Sequence, residues 1–337
     1  MVLSPARAAV NGPVVVTGAD GFAGRAVCAH LGAAGIPFRG LVRALSPFTA
    51  ARPDMLPVGD LVTVSPATLA NVLRDAHAVV HLAGRAHAMR DDAADPVSEF
   101  RAANVAATEH LARAAAAAGV AHFVFASSVK VNGESAPPER AFRESDPPDP
   151  RDAYAISKWE AECMLGDVSR STSMPVTVLR LPLMYGPRAK ANVARLTEAI
   201  ASGMPLPLAR IDNRRSLLGV GNFASGLEAL LSAAAPAPRT ITTFLVADTV
   251  PVSTPEFAQA IAAALGVTAK LVPVPPWLLR LACASVGKTS TFERLAGSLV
   301  VDASAFRAAF GWQPPYPMAE ELGVMARARY QASPPPL

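Results

Sequence analysis

The chain has 337 residues, of which 51% are hydrophobic and 17% are charged, and this composition excludes an intrinsically disordered protein. The formal net charge is +4, but the arginines are spread along the chain without a basic block, which argues against a nucleic-acid partner. The three cysteines lie far apart in the sequence. They predict neither a disulfide framework nor a metal site, and they favour a reducing cytosol.

No segment is predicted to span a membrane. Residues 1–13 contain no apolar stretch of signal-peptide length. The longest apolar run of the C-terminal part, PPWLLRLACASVG (275–287), is interrupted by Arg280 and is too short to cross a bilayer. We interpret this run as a core helix, with a surface that touches a membrane or a partner as the alternative. We therefore expect a cytoplasmic protein.

Short β-branched runs alternate with helix-like segments through the first half of the chain. Strands are predicted at residues 13–18, 37–43, 55–61, 76–84, 122–128 and 175–182, and helices at 24–35, 67–75, 99–119 and around Tyr154. This alternation predicts an α/β fold with a doubly wound parallel sheet of the Rossmann type.

Beyond residue 185 the alternation loosens and prolines become frequent. We expect a smaller, irregular C-terminal substrate domain there, interrupted by one more sheet strand. The predicted dinucleotide-binding domain comprises residues 1–184 and the strand near 242–247, and the predicted substrate domain comprises residues 185–241 and 248–330.

A glycine-rich segment, VVVTGADGFAGRAV, follows the first predicted strand and opens a helix. Gly18, Gly21 and Gly24 are spaced three residues apart, with Phe22 among them. Glycines permit a tight turn and let backbone N–H groups approach a pyrophosphate at the positive end of a helix. The segment therefore predicts a dinucleotide site, with a purely structural turn as the alternative.

The end of the second predicted strand indicates which dinucleotide is bound. An acidic residue at this position would bind the 2′-hydroxyl of NAD. Arg43 occupies it instead, with Arg39 and Arg25 nearby, and arginine suits a 2′-phosphate. NADP(H) is therefore the favoured cofactor, and NAD(H) stays open. Asp60, next to Leu61, is expected beside the adenine.

The segment DAYAISKWEAE (152–162) places Tyr154 four positions before Lys158. On a helix these two positions lie on the same face. An ammonium next to a phenol lowers the pKa of the tyrosine, so Tyr154 is predicted to exchange a proton near neutral pH. The alternative is an ordinary exposed pair of helix residues.

With the glycine loop and Tyr154-Ala-Ile-Ser-Lys158 in one chain, the sequence resembles the extended short-chain dehydrogenase/reductases. It looks most like their nucleotide-sugar epimerase/dehydratase branch, and the resemblance runs through roughly the whole chain. It implies that Tyr154 is the general acid/base. It also implies that Lys158 lowers the pKa of Tyr154 and holds the nicotinamide ribose.

Two motifs before residue 110 extend the resemblance. HLAG matches the family segment that follows the fourth strand beside the cofactor, which implies cofactor contacts for Leu82, Ala83 and Gly84. We interpret His81 itself as a strand-end histidine satisfied by backbone groups. ANVAATEHL resembles the NVxGT helix of the family, and Asn104 takes the place of its structural and proton-relay asparagine.

FASSVKVNG resembles the SSxxVYG motif of the family. This implies that Ser128 hydrogen-bonds the reacting sugar oxygen and that Ser127 lies next to the cofactor. Asn132 stands where the family often has tyrosine. LRLPLMYGP (179–187) resembles the LRxxxVYGP segment that closes over the nicotinamide.

The substrate residues are implied by position. The segment DNRRSLLGVGNFA resembles the RDYIHVxDLA segment of the family. Arg215 matches the family arginine that binds the diphosphate of a nucleoside-diphosphate sugar. The alternative is that Arg215 belongs to a solvated basic turn. Asn192 falls where family members contact the same diphosphate. Arg85 and His87 lie on a loop that we assign to the sugar.

The positions at which this sequence differs from the family motifs indicate which reaction to expect. The NRRSLL version resembles the branch that handles 4-keto-6-deoxy-N-acetylhexosamine nucleotides in surface-polysaccharide pathways. It implies an NADPH-dependent 4-ketoreductase acting on a UDP-4-keto sugar. A UDP-glucose or UDP-N-acetylglucosamine type 4-epimerase is the alternative, because both reactions use the same three residues. Val129 and Lys130 replace the acidic pair that a 4,6-dehydratase needs.

A non-enzymatic cofactor sensor is disfavoured by the intact set of Ser128, Tyr154 and Lys158. The expected partner is a UDP-sugar, and a homodimer stays open.

Overall fold

The computed structural model of the chain describes residues 10–47, 49–86, 96–136, 140–234, 236–285, 287 and 289–332. Its strands are β1 (Val14–Thr17), β2 (Phe38–Val42), β3 (Met55–Pro57), β4 (Ala78–His81), β5 (His122–Ser128), β6 (Val176–Leu181), β7 (Leu183–Tyr185), β8 (Leu217–Gly219) and β9 (Ile241–Leu245). Within the described residues, seven of these strands form one parallel sheet in the order β3-β2-β1-β4-β5-β6-β9. Strands β7 and β8 pair separately.

The helices follow the strands in the alternation that the sequence predicts. They are α1 (Phe22–Ala33), α2 (Pro66–Leu73), α3 (Pro96–Arg101), α4 (Ala107–Ala117), α5 (Ala153–Thr172), α6 (Ala191–Ala201), α7 (Val220–Leu231), α8 (Thr254–Ala264), α9 (Pro276–Ser285), α10 (Thr289–Ala296), α11 (Ser304–Phe310) and α12 (Met318–Ala332). A π-helical turn (Ala102–Ala106) joins α3 to α4, and a 3₁₀ turn (Val129–Val131) follows β5.

The central strands are buried on both faces. All residues of β1, β4 and β6 are buried, as expected for parallel strands covered by helices on both sides. Val16 of β1 and Val27 of α1 belong to a core that also includes α7. Val15, on the opposite face, packs with α2, α4 and α5. The predicted Rossmann-type fold is confirmed.

The sheet order creates a crevice. The chain passes from β1 outwards to β2 and β3, and then returns to place β4 on the other side of β1. Ligands of open α/β sheets bind at such a reversal, outside the carboxyl ends of the strands. The structure therefore brings the end of β1, the start of α1 and the segment after β4 to one place.

Much of the chain beyond residue 182 forms another core. The buried Tyr185 and Leu217 of the β7–β8 pair pack there with α6, α8 and α12. Helix α7 packs instead with α1 on the large sheet. The boundaries of the two predicted domains stay a prediction.

Three sequence expectations about elements need correction. The predicted core helix is wrong, because every residue of α9 is exposed or half-buried and Trp277 is 68% exposed. The third strand ends at Pro57 rather than at residue 61, because Gly59 adopts a left-handed conformation with φ of 76°. The predicted helix 99–119 is interrupted by the π-helical turn. Among the described residues, no helix is long and apolar enough to cross a membrane.

Candidate active site

In the glycine loop between β1 and α1, the backbone segments pack so closely that a side chain would not fit. A Cβ on Gly24 would lie 2.1 Å from the carbonyl oxygen of Gly18, and Gly18 itself has a φ of 64°. Gly21 is the N-cap of α1 and, lacking a side chain, leaves the first-turn N–H groups of the helix without a side-chain cap. These N–H groups at the positive end of the helix fit a pyrophosphate.

A cavity of about 190 Å³ opens beside this loop at the reversal of the sheet. It is lined by Ala23, Leu82, Gly84, Arg85, Ala86, Ala126, Ser127, Ser128, Tyr154, Lys158, Leu181, Pro182 and Met184. The three predicted catalytic side chains therefore share one cavity with the start of α1 and the segment after β4.

Tyr154 lies in the first turn of α5, which is fixed by its N-cap: the Asp152 carboxylate accepts a hydrogen bond of 2.7 Å from the N–H of Ala155. Tyr154 and Ser128 line the same cavity. The Tyr154 ring meets the edge of Phe100, with centroids 6.1 Å apart. Burial raises the pKa of Tyr154 to about 12, although the nearby Ser128 hydroxyl acts in the opposite direction.

Lys158 is only 6% exposed, and its ammonium points to the sheet. Its Nζ donates to the carbonyl oxygen of Ala126 at 2.9 Å and lies 4.5 Å from the centroid of the Phe125 ring. Burial lowers the pKa of Lys158 to about 8, and the negative charge of Glu162 opposes this shift. Loss of solvation dominates at the phenol, so the lowering of its pKa by Lys158 stays a prediction.

The two serines at the end of β5 point in different directions, as neighbours on a strand do. Ser128 faces the cavity that Tyr154 also lines, and its Oγ accepts from the N–H of Lys130 at 3.3 Å. Ser127 donates its hydroxyl to Glu162 at 2.5 Å. Its cofactor contact stays a prediction, and its hydroxyl already has a partner.

A buried ion pair behind Lys158 was missed by the sequence analysis. Glu162 and Arg180 are 3% and 4% exposed, and Nη2 of Arg180 donates to Oε2 of Glu162 at 2.7 Å. Nη1 of Arg180 donates to Oδ1 of Asn132 at 3.1 Å. The sequence signals were an arginine inside an apolar strand and a glutamate four positions after Lys158.

Asn104 connects the segment after β4 to α5. It lies in the π-helical turn, where its Oδ1 accepts from the N–H of Arg85 at 2.8 Å and its Nδ2 donates to the carbonyl oxygen of Arg85 at 3.0 Å. Nδ2 also donates to Oγ of Ser157 at 3.0 Å. These bonds tie the segment after β4 to α5, and the predicted structural and proton-relay roles of Asn104 stay predictions.

His81 is satisfied by two threonines and not by backbone groups, which corrects the expectation. Thr108 donates its hydroxyl to the carbonyl oxygen of Asn104 at 2.7 Å, so it accepts from Nε2 of His81 at 3.0 Å. Nδ1 then accepts from the hydroxyl of Thr17 at 2.6 Å, and Thr17 accepts from the N–H of Ala83 at 3.1 Å. Burial lowers the pKa of His81 to about 3, so the ring is neutral and positions the segment after β4.

The arginines near the end of β2 have different partners. Arg43 is 82% exposed at its side chain, and its Nη2 lies 3.6 Å from Oδ2 of Asp60. Arg39 is occupied elsewhere, since its Nη1 donates to the carbonyl oxygens of Val72 at 2.9 Å and Arg74 at 2.6 Å at the end of α2. Of these two side chains, Arg43 is therefore the one that stays exposed at the end of β2, and its role toward a 2′-phosphate stays a prediction.

The predicted substrate residues are spread more widely. Arg85 lines the cavity, where it pairs with Glu99. Arg215 is half-buried, and its Nη1 donates to the carbonyl oxygen of Gly297 at 2.6 Å. Asn192 is exposed, and its Oδ1 accepts from Arg195 at 2.8 Å. His87 lies outside the described residues.

Residues 14–242 match the family model described as the NAD dependent epimerase/dehydratase family, and the chain belongs to that family. This confirms the resemblance on which the motif assignments rest. Among its relatives is the UDP-glucose 4-epimerase of Vibrio cholerae, which is 37% identical over 262 residues, or 77% of this chain and 79% of the relative.

Solved structures agree on the fold. The UDP-glucuronic acid 4-epimerase from Bacillus cereus in complex with NAD superposes with a TM-score of 0.75 at 18% identity, covering 95% of this chain and 96% of the other. RMD from Pseudomonas aeruginosa complexed with NADPH superposes with a TM-score of 0.71 at 24% identity, covering 94% and 98%. These two neighbours bind different nicotinamide dinucleotides on one architecture.

Proposed function

We propose that the protein catalyses hydride transfer at C4 of a UDP-linked sugar with a nicotinamide dinucleotide. One observation carries the proposal: Ser128, Tyr154 and Lys158 line the same cavity, at the carboxyl ends of the strands and beside the glycine loop. These residues supply a phenol, a hydroxyl and an ammonium group. Such groups around the C4–oxygen bond of a sugar suit the interconversion of an alcohol and a ketone.

The residues around the cavity fit the dinucleotide. The glycine loop and the uncapped start of α1 suit its pyrophosphate, and Lys158 suits the nicotinamide ribose. Bound there, the cofactor supplies or accepts the hydride. Leu82, Ala83 and Gly84 would flank it, and a Cβ on Gly84 would lie 3.4 Å from Nζ of Lys158.

The chain's own side chains handle the proton. Because its pKa is about 12, Tyr154 keeps its proton at neutral pH and can donate it to a carbonyl oxygen at C4. Ser128, which lines the same cavity as Tyr154, would hold the same sugar oxygen. Removing a proton from an alcohol requires a lower phenol pKa, which a charged Lys158 turned from Ala126 towards Tyr154 would provide.

The reaction best supported is 4-epimerisation of a UDP-sugar. The support is the Vibrio cholerae relative, a UDP-glucose 4-epimerase, whose 37% identity extends over most of both chains. Such an enzyme oxidises C4 and then reduces the opposite face, so the same three side chains must act in both directions.

A second candidate is 4-keto reduction of a UDP-4-keto-6-deoxy-N-acetylhexosamine, and one observation favours it. Arg43 stands at the end of β2, exposed and only loosely paired with Asp60, where it could hold the 2′-phosphate of an NADPH that exchanges on every turnover. A 4,6-dehydratase is disfavoured, because Val129 and Lys130 follow Ser128 where that reaction needs an acidic pair, and Lys130 is itself bound by Glu134 and Asp152.

Cofactor stoichiometry separates the two candidates. Purified protein is incubated with UDP-glucose, UDP-N-acetylglucosamine and UDP-4-keto sugars, with and without NADPH or NADH. An epimerase interconverts C4 isomers without added reductant, whereas a ketoreductase consumes one NADPH for each 4-keto sugar converted. Turnover in neither assay, together with failure of UDP to compete with substrate, would exclude the nucleotide-sugar proposal. The Tyr154→Phe variant is the inactive control.

A further inference from the structure

Lys130 joins the end of β5 to the start of α5. It lies in the 3₁₀ turn (Val129–Val131), where its backbone N–H donates to Oγ of Ser128 at 3.3 Å. Its side chain is 25% exposed, and Nζ donates to Oδ2 of Asp152 at 2.5 Å and to Oε1 of Glu134 at 2.7 Å. One residue therefore contacts the predicted catalytic serine through its backbone and the N-cap of α5 through its ammonium.

Asp152 uses its two carboxylate oxygens for two different elements. Oδ1 accepts from the N–H of Ala155 and so fixes the first turn of α5, which carries Tyr154. Oδ2 accepts from Nζ of Lys130 in the turn after β5. The ion pair therefore ties the helical turn of Tyr154 to the residue that bonds to Ser128.

Stability alone does not account for this ion pair. The side chain of Asp152 is 42% exposed, and ion pairs at such positions contribute little to the free energy of unfolding. A backbone hydrogen bond of 2.8 Å, from the N–H of Asp149 to the carbonyl oxygen of Val131, already joins the two segments. The Lys130–Asp152 pair adds a contact that reaches the first turn of α5 itself, and the fold should survive its loss.

The charge of Asp152 also acts on the phenol. It favours the protonated form of Tyr154 and so adds to the effect of burial on the pKa of that residue. The ammonium of Lys130, at 2.5 Å from the carboxylate, opposes this effect. Further charged groups on the elements around the start of α5 are Lys158, Glu134 and the pairs Arg85–Glu99, Arg101–Glu160, Arg151–Asp149 and Glu162–Arg180.

We propose that Lys130 is a positioning residue that holds Tyr154 and Ser128 in place relative to each other, by bracing the N-cap of α5 against the turn after β5. Its chemical consequence rests on the proposed function, in which these two side chains bind one sugar oxygen. Compensation of the Asp152 charge helps Tyr154 to lose its proton when the C4 alcohol is oxidised. Both bonds of Nζ are made within the chain, so the brace is in place before a substrate binds.

NMR of isotope-labelled tyrosine tests the position of Tyr154 without substrate. The chain has four tyrosines, so the ring-carbon resonance next to the hydroxyl of Tyr154 is assigned by its loss in Tyr154→Phe. In Lys130→Met this resonance should shift, and its titration should move to higher pH because the charge of Asp152 is no longer compensated. Lys130→Arg keeps a cation at this position and should restore both properties.

Steady-state kinetics with the UDP-sugars measure the chemical consequence. Lys130→Met should lower kcat for an alcohol substrate about tenfold, and the rise of kcat with pH should move to higher pH. The matched control is Arg170→Met, which removes another cation from α5. Arg170 lies roughly 24 Å from Tyr154 along the helix axis, so this variant should change neither the resonance nor kcat.

An unshifted Tyr154 resonance in Lys130→Met, or no rescue by Lys130→Arg, would overturn the proposal whichever reaction the enzyme catalyses. A shifted and rescued resonance in a protein that converts none of the UDP-sugars would support the brace and refute the proposed function. The urea midpoint should stay at the wild-type value in all three variants. A lowered midpoint in Lys130→Met would assign Lys130 to stability and would also overturn the proposal.

Discussion

Tyr154 and Lys158 lie four residues apart on α5, and burial shifts their pKa values in opposite directions, away from each other. The pKa of the phenol is raised to about 12, and that of the ammonium is lowered to about 8. Both shifts favour the neutral form. At pH 7 the phenol is therefore protonated and the lysine is still mostly charged, which is the pair that carbonyl reduction requires. Activity should decline above about pH 8 as Lys158 loses its proton.

Removal of the phenol hydroxyl tests the role of Tyr154. Tyr154→Phe should fold and bind the dinucleotide but lose about a hundredfold or more in turnover, the usual scale for a general acid. Steady-state kinetics and a cofactor titration measure the two effects. Tyr330→Phe, which removes another tyrosine hydroxyl from the exposed side of α12, is the control. Near-wild-type turnover in Tyr154→Phe would refute the assignment.

Arg43 should set the cofactor preference. Arg43→Ala should weaken NADP(H) binding about tenfold or more, by loss of a charge-assisted contact, and should leave NAD(H) binding nearly unchanged. Arg39→Ala is the matched control, because that side chain binds carbonyl oxygens at the end of α2 and should affect stability instead. Equal affinity of the wild-type protein for both dinucleotides would contradict the predicted NADP(H) preference.

For individual residues, the sequence predicted which chemical groups form the site but not the surroundings of each group. Tyr154, Lys158 and Ser128 were predicted from spacing and resemblance, and the structure places them in one cavity. The direction of the Tyr154 pKa shift could not be predicted, because it depends on packing with residues far along the chain, such as Phe100. Likewise, only the fold distinguishes the occupied Arg39 from the exposed Arg43.

Between α5 and β6, the Glu162–Arg180 ion pair lies one helical turn from Lys158 and holds that part of α5 in place. Glu162 follows Lys158 by one helical turn, and it accepts from both Ser127 and Arg180. Buried ion pairs contribute little net stability, but loss of one partner leaves an uncompensated charge. These bonds therefore fix the position of α5 against β5, which carries Ser127, and β6, which carries Arg180.

Glu162→Gln should reduce the free energy of unfolding by about 3 kcal/mol, because Arg180 loses its counter-charge. It should also lower the pKa of Lys158, since the charge of Glu162 raises that pKa. The alkaline decline of activity should accordingly begin at a lower pH. Urea unfolding and a pH–rate profile measure the two effects.

The double variant Glu162→Gln with Arg180→Met separates the effect of the ion pair on stability from the effect of the Glu162 charge on the pKa of Lys158. It should recover part of the lost stability, because no unpaired charge remains buried, while the alkaline decline stays shifted. An unshifted decline in Glu162→Gln would mean that Glu162 has no electrostatic effect on Lys158.

Long apolar strands were predicted well because the sheet buries them on both faces. The segment at 122–128 matches β5 over its full length, and the helices predicted at 24–35 and 67–75 match α1 and α2 within two residues, whereas α7 was not predicted. Strands β7 and β8 have three residues each and too little pattern to be recognised. The apolar run of α9 was misassigned because hydrophobicity alone does not reveal whether a helix faces the core or the surroundings.

Across the whole molecule, Arg215 joins segments that are distant in sequence. Its N–H donates to the carbonyl oxygen of Val252 at 2.8 Å, and its side chain reaches Gly297. If it holds the substrate diphosphate, Arg215→Ala should raise the KM for the UDP-sugar about tenfold and leave cofactor affinity unchanged. Arg214→Ala, which removes the exposed neighbouring arginine, is the matched control.

An unchanged KM in Arg215→Ala would assign this arginine to structure alone. A loss of cofactor affinity in the same variant would point to a disturbed fold, which the urea midpoint would reveal. Competition by UDP in the wild-type protein is the companion measurement, because the diphosphate is what Arg215 is proposed to recognise.

The position of β9 also determines the order in which the sheet can be completed during synthesis. Strand β9 pairs with β6, yet residues 182–240 separate the two strands. At 5–20 residues per second, β6 waits roughly 3–12 s on the ribosome with one row of N–H and C=O groups unpaired. An unpaired edge is a template for association with other chains. Nascent chains that stall before residue 241 should therefore be the most dependent on chaperones and the most prone to aggregate.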